Sequence, residues 1–391
     1  MLIIHAKIHT MEQENFLDGY IQIQNTKITA VGSMDALQPS LVQAETTVLD
    51  LHGMHVLPGL IDAHTHLGMW EDGLGFEGDD GNEETDPVTP HLRALDAVNP
   101  LDRCFSEALD AGITTVLTGP GSANPIGGSW VAMKTKGRRM EDMVLSSAIG
   151  MKFALGENPK TVYNGKNQTP NTRMATAALI RETLEKARRY QQDMARAAAD
   201  EDFDAPEFDA KSEALLPVLQ RKMKAFFHAH RADDLFTAIR ISKEFDLDYV
   251  LVHTTEGYCI SDELVQENAA VITGPLICDR AKPELRGHTA ANPGILSKAG
   301  LHPAICTDHP VVPIQYLLLS AVIAYGEGLP YEETLRSITL YPAQIAGISQ
   351  RVGSIAAGKD ADLVIYAEDP LAGYVKPVAV LLNGEIVRGT L

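Results

Sequence analysis

In the stretch "PGLIDAHTHLG", an apolar run ends in His64-Thr-His66. Two imidazoles two positions apart on an extended strand point to the same side. Neutral imidazole nitrogens are good ligands for Zn²⁺ and similar divalent ions, which need further donors to complete a site. Other candidates close similar runs: His228 and His230 in "AFFHAHRADD", His253 in "DYVLVHTTEGY" and Asp308 in "HPAICTDHP". Each alone is an ordinary polar residue at a strand end, but together they suggest a metal site. In "MKFALGENPK", Lys152 and Glu157 add an amine and a carboxylate where another strand runs into a loop. Their odd separation means that a regular strand cannot direct both inward, although Gly156 allows a bend.

These residues need a scaffold that gathers strand ends. Apolar runs alternate with helical stretches through "MHVLPGLIDAHTH", "GITTVLTG", "SSAIGMKFALG", "KAFFHAH", "YVLVHT", "AAVITGP" and "HPAICTD". That alternation predicts βα units around a parallel sheet. An eighth strand near "WVAMKTKG" completes an α/β fold of the (β/α)8 type, a TIM-like barrel over residues 55–345, whose active site forms where strands end. Residues 174–224 read as helix interrupted by the acidic, solvated segment "ADEDFDAPEFDA". Both chain ends alternate β-branched and polar residues. They are expected to pair into one small β-sandwich domain from residues 1–54 and 346–391, with "NGE" as a hairpin turn.

Composition narrows the partners. Of 391 residues, 33 Lys and Arg face 52 Asp and Glu, and the net charge of −19 disfavours nucleic acid or an anionic membrane as the main partner. Cys104, Cys259, Cys278 and Cys306 are widely spaced, without a C-x-x-C pair, and are expected as reduced, buried thiols. The N-terminal residues lack a leader pattern, and no apolar run reaches the length of a membrane span, so the expected location is cytoplasmic.

"PGLIDAHTHLG", "AGITTV", "HAHRADD", "VHTTEGY", "TDHP" and "VGSIAAGKDADLVIY" in combination resemble the amidohydrolase superfamily, specifically its imidazolonepropionase-like and prolidase-like metal-dependent hydrolases. The resemblance implies that His64 and His66 bind one metal, that His228 and His253 bind a second or help assemble the site, and that Asp308 is both ligand and general base. It also implies one or two divalent ions per chain, Zn²⁺ first among them. Many members bridge two metals with a carbamylated lysine, and Lys152 resembles that residue; others use an unmodified glutamate, which Glu157 could supply. A single-metal site using neither is the third option.

The same resemblance makes His230 a substrate contact, and the bond it can make to a loop carbonyl is the structural alternative. His309, directly after Asp308, is expected either to support the site from behind its ligands or to line the pocket. "GPLICDRAKPELRGHT" carries Arg280, Lys282, Arg286 and His288, with Arg280 and His288 taken as contacts for a substrate carboxylate. "TGPGSANPIGGSW" matches no phosphate-binding loop, but its glycines let backbone approach a ligand.

A divalent ion lowers the pKa of water from about 15.7 towards 7, and a carboxylate beside it can take the proton. The expected function is therefore hydrolysis of an amide, peptide-like or cyclic amide C–N bond in a small polar molecule. The alternatives are deamination of an aminated heterocycle and a catalytically silent scaffold on the same fold. Homo-oligomers, common among relatives, are an expected form.

Overall fold

The computed structural model describes residues 1–44, 47–71 and 75–391. Strands β1 (Leu2–Ile8), β2 (Phe16–Gln24), β3 (Lys27–Ser33), β4 (Val48–Asp50) and β5 (His55–Pro58) begin the chain, and β6 (Leu60–Thr65) enters the barrel. The barrel continues through β7 (Ile113–Thr118), β8 (Ile126–Lys134), β9 (Val144–Ala154), β10 (Lys224–Ala229), β11 (Tyr249–His253), β12 (Ala270–Thr273) and β13 (Ala304–Ile305). The chain closes with β14 (Leu363–Tyr366), β15 (Ala379–Leu382) and β16 (Glu385–Gly389).

In the barrel sheet, β6 to β13 are neighbours in sequence order. The seam between its ends is drawn together just beyond the strands: Asp308 N–H donates to His64 O at 3.0 Å and His66 N–H to His309 O at 2.9 Å. The strand expected around "WVAMKTKG" is present as β8, but it runs antiparallel to both β7 and β9. Connection length explains the reversal. A parallel neighbour needs a crossover of a dozen or more residues, and only residues 119–125 separate β7 from β8. The remaining neighbour pairs are parallel.

Along the central strands, period-two alternation separates two environments. Phe226, Val250, Val252 and Ile272 join Trp130 in one apolar cluster. Phe227, Leu251 and Val271 instead join Ile180, Leu184 and Leu235 from the surrounding helices. The helix Arg173–Ala199 begins where the Thr172 side chain accepts the Ala175 N–H, and it buries a stripe of Thr176, Ala177, Ile180, Leu184 and Ala187. The acidic segment after it separates this helix from Ala210–Leu219, and both of its own phenylalanines are at least partly solvent-facing, with Phe208 79% exposed.

The two ends of the chain do pair, in a single sheet ordered β16-β15-β14-β5-β1-β2-β3 with β4 beside β1. Residues from distant strands of this sheet, including Ile21, Ile28, Ile365 and Leu381, share one apolar cluster. The opposite face places Leu57, Val364 and Val380 in the cluster of Leu60, Phe105 and Ile113. Residues 55–58, on the barrel side of the boundary read from sequence, pair with β1 and β14. Gly59 then passes the chain into β6, and a Cβ there would lie 2.0 Å from Thr114 Oγ1, so only glycine allows this close approach.

The "KDADLVIY" segment locks the two sheets together. Lys134 at the end of β8 lies 2.8 Å from Asp360 and 3.0 Å from Asp362, and all three are nearly inaccessible to solvent. Lys27 and Arg351 also pair with Asp360. Lys134→Met should leave the buried Asp362 without its cation, and removal of one partner from such a pair typically costs about 3–5 kcal/mol. Urea unfolding followed by circular dichroism checks this; an unchanged midpoint would show that the lock contributes nothing.

No helix among the described residues is long and apolar enough to cross a membrane. Cys104 and Cys306 are buried as expected, whereas Cys259 is exposed and Cys278 is partly exposed; none of the four is in a disulfide.

Candidate active site

The site lies where barrel strands end. β6 carries His64, with His66 one residue beyond it; β9 carries Lys152; β10 carries His228; β11 ends at His253; and Asp308 follows β13. His64, His253 and Asp308 offer donor atoms within 4.8 Å of one another, and His228, His230 and His253 form a second such group. Asp308 Oδ1 lies 3.3 Å from His66 Nε2 and 3.5 Å from His64 Nε2. Lys152 Nζ is 3.3 Å from His64 Nε2, and its side chain is fully buried.

The surroundings set the rings. His66 Nδ1 is 2.6 Å from Gly119 O, and His253 Nδ1 is 2.8 Å from Gly274 O. A carbonyl only accepts, so each Nδ1 carries a hydrogen, and Nε2 is the nitrogen left to face the site. His64 stacks on buried Trp130 with centroids 4.2 Å apart. A Cβ at residue 119 would meet that indole at 2.3 Å, which restricts the position to glycine. Asp62 fastens the Asp308 loop to β6: it accepts from Thr307 Oγ1 at 2.6 Å and from the Thr307 and His64 amides at 3.2 Å. Burial pushes the Asp62 carboxyl up to about 7 despite those bonds.

Burial also pushes His64, His228 and His253 well below the ordinary histidine value, leaving neutral imidazoles. It lowers the Lys152 amine to about 7, with Asp308 opposing the shift. For Asp308, burial raises the pKa, but the facing His253 and His66 outweigh it and hold the carboxylate below its usual range. His64 Nδ1 and His228 Nδ1 are buried without hydrogen-bond partners among the described residues. Imidazole nitrogens and an ionised carboxylate converging within 4.8 Å of one another fit a divalent cation.

A cavity of about 960 Å³ opens above these groups, lined by His64, His66, His228, His230, His253 and Asp308 along with Trp70, Glu157, Asn158 and Lys282. The sequence model of the amidohydrolase family matches residues 55–390. The chain belongs to this family. Amidohydrolase tasK of Hapsidospora irregularis is 30% identical over 392 aligned residues, covering 94% of this chain and 39% of that relative, so the chain spans well under half its length. A crystal structure of an amidohydrolase from Thermotoga maritima MSB8 is 38% identical, covers all of both chains and superposes with a TM-score of 0.94. Imidazolonepropionase of Fusobacterium nucleatum subsp. nucleatum is 54% identical over 50 residues, 13% of this chain and 12% of that protein.

Within this amidohydrolase framework, Lys152 and Glu157 part company. Lys152 faces His64, whereas Glu157 begins the helix Glu157–Gly165 and exchanges contacts with Glu284: its N–H donates to Glu284 Oε2 at 2.9 Å, and its Oε2 lies 3.4 Å from the Glu284 amide. Glu157 still lines the outer cavity. His230 lines the cavity as well, with Nδ1 2.7 Å from Thr255 Oγ1.

Arg280, His288 and His309 are not among the residues lining this cavity. Arg280 instead donates to His288 O at 2.9 Å, and His288 Nε2 lies 3.2 Å from Pro275 O. His309 Nδ1 accepts the Ile314 N–H at 3.1 Å. Lys282 is the cation of that loop that reaches the cavity, held by Asn158 Oδ1 at 2.9 Å. Sequence reasoning missed Asp62 and Glu284. Asp62 had a signal, because positions 62, 64 and 66 share a strand face; Glu284 lies in a loop whose course no periodicity reveals.

Proposed function

We propose that the chain is a metal-dependent hydrolase that cleaves a C–N bond, an amide, peptide-like or cyclic amide bond, in a small polar substrate. The observation that carries this reading is Asp308 Oδ1 within 3.5 Å of both His64 and His66 Nε2 at the base of an open cavity. His64, His66, His228, His253 and Asp308 would hold one or two cations, and Lys152, if carbamylated, would add a carboxylate-like ligand. When bound, such an ion acidifies water and polarises a carbonyl oxygen.

The chain's own groups supply the proton transfers. Asp308 is ionised and faces the cavity, so it can accept a proton from water and return it to the departing nitrogen. Gly119 and Gly274 carbonyls keep His66 and His253 from turning. Trp130 closes the space beneath His64. Lys282 is the cation placed to orient substrate along the wall, which the His230 ring also lines.

The purified chain is expected to retain at least one transition-metal ion, measured by elemental analysis. Exhaustive chelation should abolish turnover, and added Zn²⁺ should restore it. A screen of N-acyl amino acids, dipeptides, cyclic amides and aminated heterocycles then names the bond cleaved. Turnover confined to the heterocycles, with ammonia released, would replace the amide reading by deamination; a chain that never binds metal would sink both.

A further inference from the structure

Glu284 stands where three elements meet. It lies in the loop after β12, touches the start of Glu157–Gly165, and faces the two histidines at the end of β10. The residue is 2% exposed. Its Oε2 accepts the Glu157 N–H, whereas Oε1 is buried without a hydrogen-bond partner among the described residues. A buried carboxylate oxygen left without a donor is strongly unfavourable. What it faces is therefore informative.

Oε1 lies 3.7 Å from His230 Nε2 and 3.9 Å from His228 Nε2. His228 Nε2 also has Asn158 Nδ2 at 3.4 Å, so a second group competes for that ring. His230 has no such ambiguity. Thr255 Oγ1 sits at its Nδ1, and the ring stacks on His253 with centroids 4.6 Å apart and planes 15° apart. A carboxylate only accepts, while a hydroxyl can donate. The arrangement suits one tautomer, with hydrogen on Nε2 facing Glu284 and the Thr255 hydroxyl donating to Nδ1.

We infer that Glu284 is a positioning residue that holds His230 as its Nε2–H tautomer. In that state Nδ1 accepts from Thr255 and the Nε2–H is turned to Glu284 Oε1, so His230 has no lone pair left for a cation. Its one N–H is turned to buried Glu284 rather than to the cavity, and of the second histidine group only His228 and His253 remain as ligands. This last consequence rests on the proposed metal centre; the tautomer does not.

Histidine-selective ¹⁵N labelling of the full chain, read by long-range ¹H–¹⁵N correlation in metal-free and zinc-loaded protein, tests the inference. His230→Asn identifies the resonance by its loss. Wild-type protein is expected to show His230 protonated on Nε2 and unprotonated on Nδ1. In Glu284→Gln, the amide oxygen should keep accepting the Glu157 N–H, turning the amide NH₂ towards His230. The tautomer should then invert, with Nδ1–H donating to Thr255. Protonated Nδ1 in the wild type, or an unchanged tautomer in Glu284→Gln, would overturn the proposal. Should Glu284→Gln fail to fold, the wild-type spectrum decides alone. Since the metal-free measurement needs neither cation nor substrate, a protein that hydrolyses nothing would still reveal which nitrogen of His230 carries the hydrogen.

Discussion

Asp308→Asn is expected to fold normally and to lose about 10²–10⁴-fold in kcat, the range typical of a removed general base. The wild-type carboxylate is held below its usual range and is therefore ionised near neutral pH. An amide of the same shape keeps the packing and still accepts through one oxygen, but it cannot take a proton near neutral pH. Stability should change little, because the Asp308 backbone N–H still donates to His64 O and the Asp62 bonds to Thr307 are untouched. The check pairs a thermal unfolding curve with kcat and KM on the best substrate from the screen. Near-normal turnover by a folded variant would remove Asp308 as the base.

How far the site was legible depended on the range of the forces that placed each residue. His64, His66, His228 and His253 lie at or just beyond the ends of parallel strands, where period-two alternation and apolar runs locate a side chain from local sequence alone. The pairing of the chain ends was legible for the same reason, since β1, β2, β14 and β15 carry strong strand patterns. The direction of β8 was not visible in its own residues; it follows from the short connection before it. Loops fared worst. Arg280 and Lys282 are equally cationic in sequence, yet the course of the loop sends Lys282 to the cavity and turns Arg280 back on His288 O. Glu284 reaches the site through contacts with residues 54, 56 and 127 positions away, distances at which sequence spacing says nothing.

Lys152→Met and Glu157→Gln are expected to give opposite results. Lys152→Met should lose hydrolysis almost completely, together with part of the bound metal, whereas Glu157→Gln should keep both within a few-fold. The contrast follows from orientation: Lys152 Nζ faces His64 Nε2, while the Glu157 carboxylate is turned to the Glu284 amide. Stability supplies an independent sign. Burial lowers the Lys152 pKa from 10.5 to about 7, so between those values the unfolded chain binds a proton that the folded chain refuses. Folding stability must therefore fall as pH drops from 10.5 towards 7. Methionine has no proton to bind, so Lys152→Met should abolish that slope and stabilise the metal-free protein by a few kcal/mol near pH 8, each pKa unit being worth about 1.4 kcal/mol. Urea midpoints of the metal-free proteins across that pH range, set beside metal content and turnover, separate the outcomes. A more stable but inactive Lys152→Met would show a buried amine kept for chemistry at the expense of stability. If that variant stays active while Glu157→Gln fails, the bridging anion is Glu157.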